Sequence, residues 1–289
     1  MTKPGTSIAA ITLSCDFPRI YYQVGTEIRQ SVLQGKKWVT TAKPVAENVR
    51  DGTPILACDP AYEQRIHVFY INQNNKLCLA DGDKDWSAPK HHTWDKEEND
   101  GVQLGGDTWL GEDMYLVDPR ESFIRSFARS NQEWTETPTR LEAKVRPKTT
   151  VGFSNRYGRH LYFQHEDGKI MEYWKPPGEQ RFNQARVWLD AARVNSPSPI
   201  AAGEGGNDMT HVFVVQGKNV RHYAVDKDNL PSDMSTVPGG EVWENTSLAA
   251  TMTPDAKGII LLQQNSDAEI TSKVYNFDGG DWQDGPTLQ

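Results

Sequence analysis

A short apolar run that carries two adjacent, mostly small residues recurs six times along this 289-residue chain. The six pairs are Ala9-Ala10, Leu56-Ala57, Gly105-Gly106, Val151-Gly152, Ala201-Ala202 and Ala249-Ala250. Successive pairs are separated by 47, 49, 46, 50 and 48 residues. A period of this length indicates one supersecondary unit per copy, and such units must pack against their neighbours to bury their apolar faces.

Each pair is followed by two further strand-like runs at matching distances. The second run begins at Arg19, His67, Met114, His160, His211 and Ile259. The third run begins at Ile28, Leu77, Ile124, Ile170, Val220 and Ile270. Turn-forming residues such as Glu166-Asp167-Gly168 separate the two runs, as a hairpin requires. A tryptophan closes several repeats, at Trp38, Trp86, Trp134, Trp188 and Trp282.

Three or four antiparallel strands in fewer than 50 residues match the size of a propeller blade. We therefore predict an all-β fold, a six-bladed β-propeller formed by one domain over residues 1–289. The predicted blades lie near 7–50, 51–100, 101–147, 148–196, 197–245 and 246–289. The small pairs should lie on the innermost strands, because larger side chains would clash where these strands converge. The fifth repeat shows no clear fourth strand between Asp226 and Val242.

Charge and composition narrow the classes of partner. The net charge is −8, and the basic residues are scattered, which does not suit binding to nucleic acid. No apolar stretch approaches the roughly 20 residues that span a bilayer, and residues 1–5 lack a signal-peptide core, so we expect a cytoplasmic protein without a membrane partner. Cys15, Cys58 and Cys78 are expected to be reduced. No metal or nucleotide motif is found, so neither a metal nor a cofactor is predicted.

The first repeat carries a family resemblance. It reads Ser7-Ile8-Ala9-Ala10-Ile11-Thr12, then Arg19-Ile20-Tyr21-Tyr22-Gln23, Glu27-Ile28-Arg29-Gln30 and Lys37-Trp38. This pattern resembles a blade of the fungal fucose-specific lectins, which are six-bladed propellers of about this length, and the resemblance extends over all six repeats. It implies fucose sites between neighbouring blades. In that family an Arg of the second strand and a Glu of the third hold the sugar hydroxyls, and aromatic rings cover its apolar face.

The sugar-holding residues are only partly kept. The Arg position is occupied by Arg19, His67, Met114, His160, His211 and Ile259. The Glu position is occupied by Gln30, Leu79, Ser126, Glu172, His222 and Ser272. No repeat therefore has Arg together with Glu. Arg19 with Gln30 is a predicted ligand-binding pair, and so is His160 with Glu172, which has Arg159 and Trp174 nearby.

Two functions remain open. The first is a propeller repurposed to bind one small, largely apolar ligand, as in a cofactor-independent cyclase of fungal secondary metabolism (hetero-Diels–Alderase type). Such an enzyme would orient its substrates and donate a hydrogen bond to a carbonyl. Its predicted catalytic residues are His160, Glu172, His211 and His222. The alternative is a fucose-type lectin with one or two weak sites. The sequence leaves the oligomeric state open.

The ligand is expected in one pocket per chain, because the aligned positions differ in every repeat. The group of the fourth repeat, His160, Glu172 and Trp174, and the pair His211–His222 are predicted to face each other around this pocket. The competing location is one mouth of a polar axial channel near Asp59 and Glu204, which follow the small pairs by two positions. The charged segment around residues 91–94 is expected to be a solvated loop.

Overall fold

The computed structural model describes residues 2, 6–12, 17–59, 65–87, 89–98, 102–106, 113–118, 120–130, 133–146, 148–155, 157–179, 181–195, 197–205, 209–226, 231–239, 242, 246–265 and 267–288. The secondary structure is β-strand apart from a 3-10 turn at Ala191–Arg193. In these ranges, no helix combines the length and the hydropathy needed to cross a lipid bilayer.

Six small sheets follow one another along the chain and form blades I to VI. Blades I to III contain β1 (Ile8–Ile11), β2 (Arg19–Val24), β3 (Glu27–Gln34), β4 (Lys37–Thr40); β5 (Leu56–Cys58), β6 (Ile66–Ile71), β7 (Lys76–Gly82), β8 (Lys90–Glu97); and β9 (Gln103–Gly106), β10 (Asp113–Val117), β11 (Phe123–Ser130), β12 (Glu133–Glu142). Blades IV to VI contain β13 (Val151–Asn155), β14 (Gly158–Gln164), β15 (Ile170–Lys175), β16 (Arg186–Leu189); β17 (Ile200–Glu204), β18 (Thr210–Gln216), β19 (Asn219–Val225), β20 (Pro231–Thr236); and β21 (Leu248–Met252), β22 (Gly258–Gln264), β23 (Ile270–Asn276), β24 (Asp281–Asp284). A last strand, β25 (Thr287–Leu288), joins blade I.

The six-bladed propeller is confirmed, and the small pairs lie on the innermost strands as predicted. The innermost strands contact one another in ring order. Glycine is required where two of them approach most closely. A Cβ atom on Gly152 would lie 2.7 Å from the carbonyl oxygen of Gly106, well inside van der Waals contact. The convergence of six strands on one axis is therefore the physical reason for the small-residue repeat.

The core consists of six apolar clusters, one at each interface between neighbouring blades. Between blades I and II, for example, Ile11 and Tyr21 pack with Val68 and Trp86. Successive side chains of a strand point to opposite faces of its sheet. One face of each blade therefore packs against the preceding blade and the other against the following blade, and this shared burial holds the ring together.

Both ends of the described chain meet at the interface of blades VI and I, which we call the seam. Leu288 of β25 lies opposite Trp38 of β4 in a parallel pairing. Near the other end of the chain, Thr2 donates a hydrogen bond to the carbonyl of Ala268 in blade VI. Contacts from both ends of the described chain therefore contribute to closing the ring at this interface.

The structure corrects two local expectations. The segment around residues 91–94, expected to be a loop, belongs to β8, whose outward side chains are nearly all exposed. Its charged sequence suits the outermost strand of a blade, which borders solvent. The fourth strand of blade V, which the sequence does not show clearly, is β20, and its residues are mostly exposed too. Both strands lack the alternating apolar pattern because neither face is buried.

Strand register also corrects two aligned positions. His160 lies opposite Phe153, one residue after the small pair of blade IV. Met114 lies opposite Gly106, which is still within the small pair, so Asp113 is the counterpart of His160 in blade III. In blade VI the counterpart is Ile260, opposite Thr251, and not Ile259. A slip of one residue moves a side chain to the other face of a sheet, and here to a different interface.

Candidate functional site

The blade IV pair is assembled as predicted, but it is buried. His160 Nδ1 lies 2.7 Å from Glu172 Oε1, and the two side chains are 1% and 0% exposed. Arg186 Nε donates to the other carboxylate oxygen at 2.7 Å. Burial raises the pKa of Glu172, but the hydrogen bond and charge of His160 and the Arg186 guanidinium outweigh it and hold this pKa below its ordinary value. The Trp174 ring stacks on His160 at 6.5 Å.

The blade V pair is also assembled and buried. His211 Nδ1 lies 2.6 Å from His222 Nε2. The rings of Phe213, Phe277 and Trp282 surround the two imidazoles at centroid distances of 4.9 to 5.4 Å. Burial lowers the pKa of His211 to about 4, and burial with the charge of His211 lowers the pKa of His222 to about 3. Both imidazoles are therefore neutral near pH 7.

These two pairs do not face each other, which corrects the predicted pocket between blades IV and V. His160 shares its face of β14 with Tyr162, which packs against blade V. His211 shares its face of β18 with Phe213, which packs against blade VI. The sheet of blade V therefore separates the pairs. As placed, neither pair can contact a substrate, since all four side chains are buried.

Arg19 and Gln30 are not held together as a sugar-binding pair. Gln30 Oε1 accepts hydrogen bonds from Tyr21 Oη and Trp86 Nε1, both at 2.8 Å. Arg19 Nη1 donates to the carbonyl of Phe17 at 2.9 Å. Burial raises the pKa of Tyr21 above its ordinary value. The hydrogen-bonding capacity that a sugar would use on Gln30 is therefore taken up inside the protein.

The closing tryptophans explain why these positions are sealed. Trp86 of blade II donates to Gln30 of blade I, and Trp134 of blade III donates to Nδ1 of His67 in blade II at 3.2 Å. Trp282 of blade VI packs edge-on against His222 of blade V at 5.4 Å. In these three interfaces a tryptophan from the following blade thus covers the polar position of the preceding one. Its indole is part of the interblade core rather than an open platform for a ligand.

One interblade position has charged groups that remain partly exposed. In the interface of blades III and IV, Arg159 and Lys175 both contact Oδ2 of Asp113, Lys175 at 3.1 Å. The exposed fractions of the side chains are 13% for Asp113, 16% for Lys175 and 19% for Arg159. The Lys175 ammonium lies 5.5 Å from the centre of the Phe182 ring. We call Asp113, Arg159, Lys175 and Phe182 the III/IV cluster.

Sequence analysis found only Arg159 of this cluster. Asp113 was missed because the alignment of the third repeat was one residue out of register. Lys175 and Phe182 lie outside the two aligned positions. The alternation of apolar residues in β10, where Met114 and Leu116 face blade II, is a signal that could have located Asp113 on the opposite face.

The axial cavity is small and apolar at its centre. A cavity of about 90 Å³ is lined by the small pairs and their aliphatic neighbours, and another of about 110 Å³ lies at the N-terminal ends of the innermost strands. Asp59 follows β5 and Glu204 ends β17, so both lie at the opposite ends of these strands. Neither residue lines these cavities. The expectation of a polar channel is therefore wrong for the central part of the axis.

A much larger cleft, of about 760 Å³, opens at the seam. Its apolar walls include Tyr22, Val24, Ile270 and Leu288, and its polar walls include Ser272. None of the ten predicted site residues lines this cleft or the two axial cavities. The ring closure therefore produces a cleft that the repeat pattern does not indicate.

Metal-binding geometry is not found within the described ranges, where no group of three or more His, Cys, Asp or Glu side chains could hold an ion. Cys58 and Cys78 are buried free thiols, and Cys15 lies outside the described residues. Burial raises the pKa of the Cys78 thiol, although hydrogen bonds from neighbouring groups partly oppose this effect. Neither described cysteine is therefore placed for thiolate chemistry.

No protein-family model matches the sequence, and comparison with curated proteins gives no significant relative. Solved structures do match. The SapL1 lectin in complex with α-methyl fucoside is 17% identical, with 99% of this chain and 97% of that chain covered and a TM-score of 0.77. A variant of the Aleuria aurantia lectin with Fucα1-6GlcNAc is 18% identical, with coverages of 100% and 97% and a TM-score of 0.77. AofleA from Arthrobotrys oligospora is 15% identical, with coverages of 97% and 85% and a TM-score of 0.75.

SapL1 and the Aleuria aurantia lectin are described with bound fucosides, and the latter is described as a fungal lectin with a six-bladed β-propeller fold. They agree with the carbohydrate-binding alternative, while no comparison supports the cyclase hypothesis. The chain thus shares, over essentially its whole length, the six-bladed propeller fold of the fungal fucose-specific lectins.

Proposed function

We propose that the protein is a carbohydrate-binding propeller that holds a fucose-type sugar weakly, at one or two interblade positions. The observation that carries the proposal is the match of the whole ring to fucose-binding lectins. Low sequence identity and the loss of every Arg–Glu pair argue for weak binding. Fold alone does not carry function, so the residues at each position decide which sites remain usable.

The III/IV cluster is the proposed principal site. Asp113 stands where the lectins have their second-strand arginine, and blade IV supplies the cationic partners Arg159 and Lys175. Charge-assisted donors and acceptors give directional hydrogen bonds to sugar hydroxyls. The Phe182 ring beside Lys175 offers a surface for the C–H face of a sugar. The partial exposure of the charged groups leaves them reachable from solvent.

A second, weaker position is proposed between blades II and III. Arg65 Nε donates to Asp81 Oδ1 at 2.5 Å, and the two side chains are 31% and 15% exposed. His67 Nε2 lies 3.5 Å from the same oxygen. Burial raises the pKa of Asp81, but the hydrogen bonds and charges of His67 and Arg65 outweigh it and hold this pKa at about 2. The ionised carboxylate would accept from a sugar hydroxyl.

Calorimetric titration with methyl α-L-fucoside tests the principal site. We expect a dissociation constant on the order of 1 mM for the unmodified protein. Arg159→Ala and Asp113→Asn should each weaken binding by about tenfold or more, because each removes a charge-assisted hydrogen bond. Lys144→Ala is the matched control, since Lys144 forms an exposed ion pair with Glu166 across the same interface.

Three outcomes would contradict this proposal. Micromolar binding at several sites per chain would show that the interblade positions are intact rather than eroded. Binding that survives Arg159→Ala and Asp113→Asn unchanged would place the sugar elsewhere. Failure to bind any sugar of a broad glycan array would remove the lectin function itself.

A further inference from the structure

The linker between blades I and II shows what the outer part of an interblade interface normally contains. After β4 the chain crosses this interface, and Val45 and Ala46 are almost fully buried in it. The N–H of Val45 donates to the carbonyl of Ile28 at 2.8 Å, and the N–H of Ile28 donates to the carbonyl of Ala46 at 2.9 Å. A short extended segment with small aliphatic side chains therefore adds to the edge of β3.

The same position is paired in other blades. Its pairings are Ile124 with Leu141, Ile170 with Leu189, and Val220 with Val237. Each of these third-strand residues lies two positions before the residue aligned with the lectin glutamate. The outgoing chain thus repeatedly fills the groove beside this residue and satisfies its backbone groups, as buried amides require.

Ile270 is the counterpart of Ile28 at the seam, and its outer edge has no partner among the residues that the structure describes. β24 pairs with β23 only from Lys273 to Asn276. Gly285 N–H donates to the carbonyl of Ser272 at 3.0 Å. Because backbone groups alternate between the two edges of a strand, the N–H and C=O of Ile270 point to the same outer edge as those of Ser272. No pairing of Ile270 on this edge is found in the described part of the chain.

The cleft of about 760 Å³ lies against this open edge. Part of its lining is apolar and consists of Tyr22, Val24 and Leu288, which we call the floor of the cleft. This floor resembles the apolar surroundings of Val45 and Ala46 between blades I and II. The rim is charged. Lys273 is neutralised by Asp284 at 2.5 Å, and Glu269 adds a further negative charge to the lining. Among the described residues, the cleft thus combines a strand edge without a partner, an apolar floor and a net negative rim.

We propose that the seam cleft binds an extended peptide of a partner protein, which adds as a strand to the Ile270 edge of β23. The recognised peptide has two small aliphatic residues where blade I has Val45 and Ala46, with a basic residue nearby to meet the acidic rim. Main-chain hydrogen bonds supply the affinity, and the floor selects the aliphatic side chains. The inference is independent of the proposed sugar sites, none of whose residues lines the cleft.

The probe is a fluorescein-labelled synthetic peptide with the sequence of residues 41–48, Thr-Ala-Lys-Pro-Val-Ala-Glu-Asn, titrated with the full chain and followed by fluorescence anisotropy. We expect saturable binding with one peptide per chain. Methylation of the peptide nitrogen at the position of Val45 should weaken binding about tenfold or more, because that N–H would donate to the Ile270 carbonyl. Methyl α-L-fucoside should not compete, so failure of the sugar proposal and failure of this one are distinguishable.

Two cleft variants test the location. Val24→Trp should place a large side chain on the floor of the cleft and so occupy the space of the peptide. Thr287→Trp should block the cleft from its lining, at an exposed position where the fold tolerates a large side chain. Each should weaken binding about tenfold or more. Val187→Trp is the matched control, because Val187 is 50% exposed on blade IV and far from the seam. Thermal unfolding and near-ultraviolet circular dichroism report whether each variant is folded. If Val24→Trp does not fold, the binding measured with Thr287→Trp alone tests whether the peptide occupies the cleft.

The proposal is overturned if the peptide shows no saturable binding, or if the N-methylated peptide binds equally well. Binding that neither Val24→Trp nor Thr287→Trp changes would also overturn it, since the peptide would then occupy another surface. Concentration-dependent dimerisation that Thr287→Trp abolishes would assign the cleft to a second copy of this chain instead.

Discussion

At the scale of single residues, two of the aligned pairs form buried polar bridges between neighbouring strands. His160 with Glu172 and His211 with His222 each satisfy one another inside an interblade core. Buried polar groups are costly unless they are hydrogen-bonded, so such pairs remain stable only while both partners are present. These side chains now contribute to the packing of neighbouring blades.

The His211–His222 pair predicts loss of stability in acid. Burial depresses both pKa values, to about 4 and about 3, whereas the unfolded chain titrates near 6.5. The unfolded state therefore binds more protons below pH 6.5. The contribution of the pair is complete above that pH and decreases as the pH falls towards 4, by about 1.4 kcal/mol per pH unit for each proton taken up.

Urea unfolding from pH 7 to pH 4.5 measures this effect. The double variant His211→Leu, His222→Leu should lose less of its stability over this range than the unmodified protein. His92→Leu is the control, because His92 is exposed on β8. Parallel pH profiles for the unmodified protein and the double variant would contradict the assignment.

At the scale of elements, recurring glutamines attach the linkers to the second strands. Gln164 Nε2 donates to the carbonyls of Gly168 at 2.9 Å and Asn195 at 2.6 Å, and its Oε1 accepts from the N–H of Ser198 at 2.9 Å. Gln23 makes the corresponding bonds to the linker that enters blade II. Gln264 is the counterpart at the seam, where it contacts Thr2. One side chain thus fixes both the hairpin and the path of the chain into the next blade.

Gln164→Leu should lower the free energy of unfolding by about 3 kcal/mol, because three backbone groups, two of them buried and one partly buried, lose their hydrogen-bond partner. Chemical denaturation measures the change. Gln283→Leu is the matched control, since Gln283 is exposed on β24 and its side-chain amide donates to the neighbouring Asp281 carboxylate rather than to a linker. A loss of less than about 0.5 kcal/mol in Gln164→Leu would show that water or the linker itself satisfies these groups.

At the scale of the whole molecule, closure of the ring depends on the seam. Leu288 packs with the cluster between blades VI and I and lies opposite Trp38. Leu288→Asp should therefore destabilise the entire propeller, by about 2 kcal/mol for the lost apolar contact and the charge placed beside it. Differential scanning calorimetry should show a lower Tm for the main transition.

Thr287→Asp is the control for this change, because Thr287 is exposed and precedes Leu288 in the same strand. It should leave the Tm nearly unchanged. Equal Tm values for Leu288→Asp and the unmodified protein would mean that β25 does not contribute to closure.

The candidate site was only partly predictable from the sequence. The structure brings together His160 with Glu172 and His211 with His222, the two pairs named from the sequence, because spacing along a hairpin determines which residues are neighbours on one face. The sequence did not predict which interface each pair faces. It also did not predict that tryptophans such as Trp86 cover polar residues of the preceding blade. Those contacts join residues from different repeats, and local periodicity carries no information about them.

The number of blades, their strand order and the small residues at the axis all follow from the repeat, because period and alternation are local properties of the chain. Three features were decided only when the ring closed. These are the face to which Asp113 points, the burial of the aligned polar pairs, and the cleft at Ile270. Each depends on how one sheet packs against the next. A shift of one residue in register changes such packing without altering the repeat.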